Sequence, residues 1–350
     1  MSRVPGIGLD VGTGFLVAAF SDKEGNTHTK AVRDSFLEIA PKNRIISNMT
    51  RKSLLNSKIS FFEVDGKFQI LGNDSLEQSI EKQMVLRRPM ARGVLSPKEA
   101  NASHLLFALL KELLGPPVVK DEPVLYSVPA SPKDAPFDVV YHESSIESIL
   151  SRLGYKGHSI NEAHAIAFSE LDEQDFTGIT ISFGSGMSNI SIVNLAELLS
   201  AFSLAKGGDY IDHSSAAALG FDFNNPADSE ITPNFVMYVK EQGIDLKEEY
   251  RNDRVKAAIV AHYKSFIKFV VKSIVKEFNV LEKKPKFLKP IDLVVSGGTS
   301  LAIGFLDVFK EELEANGTEI PFKINSVKHA SDPLSSVAKG ALIALQAELE

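Results

Sequence analysis

The chain is 350 residues long, enough for two core-bearing lobes or one large domain. Its formal net charge of -7 argues against nucleic acid as the main partner, and its balance of apolar and charged residues is that of a soluble globular protein. Cysteine is absent, which excludes disulfides, thiol nucleophiles and Cys-type zinc sites. The histidines are scattered, with no His-Glu-x-x-His pair to hold a metal. The N-terminus lacks the charged start and apolar run of a secretory signal. No stretch approaches the ~18 to 20 apolar residues of a membrane span, and a cytoplasmic location is expected.

Strand and helix signals alternate along the chain, which predicts an α/β fold. Residues 7–20 read as a strand, a Gly-Thr-Gly turn and a second strand. Residues 58–64 and 67–71 flank Asp65-Gly66, a hairpin turn signal. A helix is expected to open at Ser96-Pro97, with Ser96 as N-cap and Glu99 completing a capping box, and to stop at Gly115. A buried strand at 124–128 precedes a helix over 137–153. A short strand then leads to a helix beginning near Asn161. Residues 178–193 repeat the strand-turn-strand unit. The longest helix runs roughly over 253–278, its lysines reading as a solvated face. The run Lys283-Lys284-Pro285-Lys286 reads as a solvated loop. An apolar strand at 291–295 ends in Ser296-Gly297-Gly298 and a helix start, and the last helix opens at Asp332-Pro333.

Two of these segments resemble each other. Gly8-Leu-Asp-Val-Gly-Thr-Gly-Phe-Leu-Val and Ile181-Ser-Phe-Gly-Ser-Gly-Met-Ser-Asn-Ile both run apolar strand, polar residue (Asp10 or Ser182), apolar residue, Gly-x-Gly, strand. Glycine lets the backbone come close to a ligand, and successive N–H groups in such a turn make an anion-binding nest. Two facing turns could clamp an oligophosphate from both sides. Asp10 would repel bare phosphate, and makes sense with a hydrated Mg²⁺ between them. Either hairpin alone reads equally as an ordinary β-turn. No P-loop string occurs, and the glycines from Gly6 to Gly12 miss the dinucleotide fingerprint because a strand follows them. A third glycine site, Gly297-Gly298-Thr299, follows a buried strand and would let a base or sugar lie flat on the backbone.

With these motifs in this order the chain resembles the actin, sugar-kinase and heat-shock-chaperone ATPase superfamily, and within it the prokaryotic actins of the MreB and MamK type. Two connector helices, at 161–167 and 332–341, add to the likeness, as do Arg88-Pro-Met-Ala-Arg-Gly-Val-Leu95 and Gly207-Gly208-Asp209. The resemblance implies an actin-like fold: two lobes on mixed-sheet cores with flanking helices and a nucleotide cleft between them. It implies a first lobe core at 1–30, 86–172 and 332–350, with a small inserted subdomain at 31–85. The second lobe core would be 173–205 and 285–331, with its own subdomain at 206–284. ATP or ADP with Mg²⁺ is the implied cofactor. Asp10 would hold the metal through water. Gly12, Thr13, Gly14, Gly184, Ser185 and Gly186 would bind phosphates. Gly208, Gly297, Gly298 and Thr299 would contact the rest of the nucleotide, with residues 226–253 lining the adenine pocket. Glu162 would orient or deprotonate the attacking water, assisted by Ser188. The chain departs from the family at Ser182, where the second phosphate motif opens with Asp, and at Met187, where Thr is usual. A neutral hydroxyl cannot supply the missing charge, so slow hydrolysis is expected.

The implied function is an ATPase that self-associates into filaments, with a cargo or adaptor protein as a further partner and no nucleic acid or membrane span. Two alternatives stay open: a non-polymerising nucleotide-binding adaptor similar to PilM or FtsA, and a small-molecule kinase of the same superfamily.

Overall fold

The computed structural model describes residues 3–82, 84–225, 229–281, 284–316 and 319–349. Positions 226–228 of the expected adenine-pocket stretch, Lys283 of the basic run and the two N-terminal residues lie outside the described residues.

The chain begins with β1 (Ile7–Val11), β2 (Phe15–Ser21) and β3 (Thr27–Arg33). A smaller layer follows: β4 (Phe36–Ile39), α1 (Arg44–Asn56), β5 (Phe61–Val64), β6 (Lys67–Leu71) and α2 (Asn73–Glu81). The short hairpin of β7 (Met90–Ala91) and β8 (Val94–Leu95) leads to α3 (Ala102–Leu114), β9 (Glu122–Val128), α4 (Val140–Arg152), β10 (Tyr155–Asn161) and α5 (Glu162–Glu170). The second half opens with β11 (Gly178–Phe183), β12 (Ser188–Asn194) and β13 (Glu197–Leu204). Helices α6 (Gly208–Ala218), α7 (Pro233–Glu241) and α8 (Arg254–Asn279) precede β14 (Ile291–Ser296), α9 (Phe305–Asn316), β15 (Ile324–His329) and α10 (Ser336–Leu349).

The two large sheets share one topology. The first has the order β10-β9-β1-β2-β3 and the second β13-β12-β11-β14-β15. In each, three antiparallel strands in a meander continue into two parallel strands reached by helical crossovers. The small sheet β4-β6-β5 stands apart. One core packs α3 and α4 on the first sheet through Leu105, Leu109, Ile146 and Leu150. Another packs α8 and α9 on the second through Phe266, Val270, Ile274 and Phe309. A third joins them through Ala165 and Ile166 of α5, Ala341 and Leu345 of α10, and Leu125 and Val294 of the two sheets. A Cβ at Gly340 would land on the carbonyl of Ala165, so the two connector helices cross in backbone contact there.

This is the α/β, two-sheet architecture expected from the sequence, and several element boundaries move. The expected helix start at Ser96 is a turn, and α3 begins only at Ala102. The reason is chemical: the Glu99 carboxylate accepts from Arg87 Nε at 3.0 Å and Nη2 at 2.9 Å instead of reaching back to Ser96. Helix α4 begins at Val140 rather than 137, and α10 at Ser336 after a turn over Asp332. After Gly297 a 3-10 turn (Gly298–Leu301) comes before α9, so the glycine pair does not open directly into an α-helix. Helix α8 is as expected: Asp253 Oδ1 accepts from the N–H groups of Val255 and Lys256, and ten apolar side chains face inward. Among the described residues no helix is long and apolar enough to cross a membrane.

Candidate functional site

The two glycine hairpins are built alike. Gly12 N–H donates to Phe15 O at 3.1 Å, and Gly184 N–H donates to Met187 O at 2.9 Å, closing four-residue turns at the ends of β1 and β11. The turns face each other closely. A Cβ on Gly186 would meet Thr13 Oγ1 at 2.5 Å and Gly93 N at 2.8 Å, and one on Gly14 would overlap the Ser185 hydroxyl. Thr13 Oγ1 accepts from Gly93 N–H at 2.9 Å, tying the first turn to the β7–β8 hairpin.

Between them lies a cavity of about 360 Å³. Asp10, Gly12, Thr13, Gly14, Glu162, Gly184, Ser185, Gly186, Gly297, Gly298 and Thr299 all line it. The structure therefore brings eleven of the thirteen sequence-expected site residues to one place. Thr299 Oγ1 donates to Gly184 O at 2.9 Å, linking the third glycine site to the second turn. Gly297 has φ +89°, in the left-handed region, and a Cβ there would collide with the Phe183 carbonyl. The stretch expected to line the adenine pocket contributes Lys240, Glu241 and Ile244.

The other two expected residues sit elsewhere. Gly208 starts α6, and its N–H donates to Gly184 O at 3.0 Å, so it braces the second turn from behind. Ser188 is fully buried and donates to Lys206 O at 2.9 Å. Strand parity explains this: Ser182 pairs with Asn189 and Phe183 with Ser188, so Asn189 shares the cavity face and Ser188 does not.

Asn189 is one of the residues that sequence reasoning missed. Its Nδ2 donates to Glu162 Oε2 at 2.8 Å, and its Oδ1 accepts from Ala130 N–H at 3.3 Å. The hydroxyl of Ser182 also hydrogen-bonds to Glu162. Asp10 is held by Ser127, which donates from Oγ to Asp10 Oδ1 at 2.8 Å and accepts from Val11 N–H at 2.9 Å. Burial pushes the Asp10 carboxyl up. Glu162 is pushed further, to about 8, first by burial and then by the charge of Asp10. Lys240 donates to Asp212 Oδ2 at 2.7 Å and to Gly208 O at 3.1 Å at another wall of the cavity. The parallel pairing of β1 with β9 brings Ser127 to Asp10, a tertiary fact without a local signal.

The family model for Volactin matches residues 6–345. The chain belongs to the Volactin family. Among solved structures, this Volactin-family chain superposes on the MamK double helical filament with a TM-score of 0.68 at 17% identity, covering 97% of this chain and 98% of that one. MreB5 of Spiroplasma citri bound to ADP gives 0.63 at 15% identity, with coverage of 98% and 97%. The ethanolamine utilization protein EutJ from Carboxydothermus hydrogenoformans gives 0.52 at 13% identity, with coverage of 99% and 91%. These likenesses establish the actin-like, MreB/MamK-type fold. No curated protein matches the chain.

Proposed function

We propose that this protein is an actin-like ATPase that binds ATP or ADP with Mg²⁺ in the cavity between its two sheets and assembles head-to-tail into filaments. The carrying observation is the pair of glycine turns in mutual contact over a cavity that also holds Asp10, Glu162 and the Gly297–Thr299 backbone. Paired nests of N–H groups suit an oligophosphate. Asp10 and Glu162 form a half-buried acidic pair on the cavity wall whose raised proton affinity a nearby cation would relieve, which fits a cation held by one carboxylate, phosphate oxygens and water. Among the described residues no group of three or more His, Cys, Asp or Glu could hold a metal by itself. The divalent ion would supply charge neutralisation beside Asp10.

In this reading Glu162 positions the attacking water, with Asn189 and Ser182 fixing its carboxyl. Ser188 acts at most through the backbone of Lys206. The subdomain limits follow the family pattern: 1–30, 86–172 and 332–350 for the first core, 31–85 for its insert, 173–205 and 285–331 for the second core, and 206–284 for its subdomain. Two solved relatives by fold are described with nucleotide, a non-polymerising MamK mutant bound to AMPPNP and MreB5 bound to ADP, and one as a double helical filament. The subunit contact of a filament is heterologous and non-closing. A cytoplasmic place follows from the same reading.

Neutral Ser182 favours one second reading, an adaptor that binds nucleotide with little turnover. Phosphate release from wild type, Glu162→Ala and Ser182→Asp, beside sedimentation with ATP and Mg²⁺, separates the two. Turnover abolished in Glu162→Ala together with ATP-dependent polymer supports the ATPase. Nucleotide binding without polymer at any concentration would sink the filament reading.

A further inference from the structure

Helix α1 has a face that its own fold does not use. Leu54 is its one buried residue, and it lies opposite Ile45 and Met49 at 100° per residue. Ile45 is 76% exposed, Met49 64% and Ile46 45%. These three side chains occupy the first turn and a half, after the Asn43 cap that accepts from Ile46 N–H at 3.0 Å. Isolated surface apolar residues are ordinary, but three adjoining ones on one convex face are not.

The charge around them is equally one-sided. From Glu38 to Glu63 the chain carries Lys42, Arg44, Arg51, Lys52 and Lys58 and no intervening acid, although the protein as a whole is acidic. Arg51 pairs with Glu63. Lys42, Arg44, Lys52 and Lys58 pair with no carboxylate among the described residues. A short helix with a cationic rim and protruding aliphatic side chains matches an anionic bilayer surface: the apolar chains enter the acyl boundary while the cations meet lipid phosphates. A bilayer also needs no recess shaped to receive a convex wedge.

We propose that α1 is a membrane-surface contact, with Ile45, Ile46 and Met49 as the inserting face and Lys42, Arg44 and Lys52 as its anionic-lipid readers. The inference is independent of the nucleotide reading. It is tested by flotation of the full chain with vesicles of phosphatidylglycerol and phosphatidylcholine, against vesicles of phosphatidylcholine alone. The chain has no tryptophan, so Met49→Trp gives an indole emission signal from this face only. The expected result is flotation with anionic vesicles, a blue shift of the indole emission of Met49→Trp, loss of flotation in Ile45→Asn/Met49→Asn, and binding weakened by about thirtyfold or more in Lys42→Glu/Lys52→Glu. Unshifted emission together with no flotation of wild type overturns it. So does flotation undiminished in Ile45→Asn/Met49→Asn, or loss of lipid-free self-association in that variant with flotation intact, which would make the face a contact between copies.

Discussion

Substituting glycines of the site by alanine separates packing from ligand contact. At Gly186 a Cβ would stand 2.5 Å from Thr13 Oγ1, 2.8 Å from Gly93 N and 3.0 Å from Arg92 Cα. Two of these are backbone atoms, and their neighbourhood is already constrained, with Arg92 at φ +51° and Gly93 at φ +77°. Reaching ordinary contact requires Gly93 N to retreat by roughly 0.6 Å and disturbs its bond to Thr13, an overpacking cost of ~1–3 kcal/mol. At Gly184 the nearest atom is Met187 O at 3.1 Å, and at Gly298 it is Leu334 Cδ1 at 3.7 Å. Gly186→Ala should therefore lower the melting temperature of the nucleotide-free protein by several degrees, Gly184→Ala by less, and Gly298→Ala hardly at all. In the presence of ATP the order changes. Gly298→Ala should lose most of the nucleotide-dependent rise in melting temperature, because its added methyl fills space that the free protein leaves open to a base or sugar. Differential scanning fluorimetry with and without ATP and Mg²⁺ reads both effects. A Gly298→Ala protein with full nucleotide stabilisation refutes the role of that glycine. A Gly186→Ala protein as stable as wild type refutes the facing-turn geometry.

Two further outcomes follow. Burial and the charge of Asp10 hold the Glu162 carboxyl above its ordinary range, so ionising it costs the folded state. The nucleotide-free protein should lose stability as pH rises from about 4.5 toward about 8, and Glu162→Gln should remove much of that loss, on the order of a few kcal/mol at the upper end; parallel pH profiles of melting would refute it. Arg33 of β3 donates to Glu241 of α7 from Nη1 at 3.1 Å and Nη2 at 2.6 Å, and its guanidinium lies 4.5 Å from the centre of the Phe15 ring, so it joins two residues that line the cavity from opposite halves of the chain. Arg33→Ala and Glu241→Ala should each speed nucleotide release several-fold, with the double variant no faster than either alone; simple additivity in stopped-flow would show that the pair does not act as a clasp.

What the sequence disclosed was local. A Gly-x-Gly between apolar strands marks a turn wherever it occurs, and Asn161 before Glu162 marks a helix start, so Asp10, both turns and Glu162 could be found by reading along the chain. The partners of those residues could not. Ser127 reaches Asp10 from β9 and Asn189 reaches Glu162 from β12, and neither residue type nor spacing distinguishes them from other buried polar groups. Ser96 through Glu99 failed for a related reason: the capping pattern is present, but Arg87 outcompetes the backbone for the Glu99 carboxylate. Ser188 was within reach of sequence reasoning. The first hairpin pairs Val11 with Leu16 and Asp10 with Val17, and the second, with the same turn length, pairs Phe183 with Ser188 and Ser182 with Asn189. Ser188 therefore takes the place of apolar Leu16, which faces away from the cavity.

That correspondence also sharpens the difference between the lobes. Both sheets have the same strand order, and both turns hang from the same corner of that order. At the polar position the first lobe has Asp10 and the second has Ser182, while opposite them stand Val17 and Asn189. The second lobe has thus exchanged a charge for two neutral groups that both bond Glu162. A carboxylate at 182 would stand against Glu162, already pressed by Asp10, and raise its proton affinity further. Ser182 lowers it instead. In the free protein the neutral residue therefore keeps the Glu162 proton affinity below what a second carboxylate would impose, and Ser182→Asp should bring a gain in turnover only if a bound cation offsets the added charge.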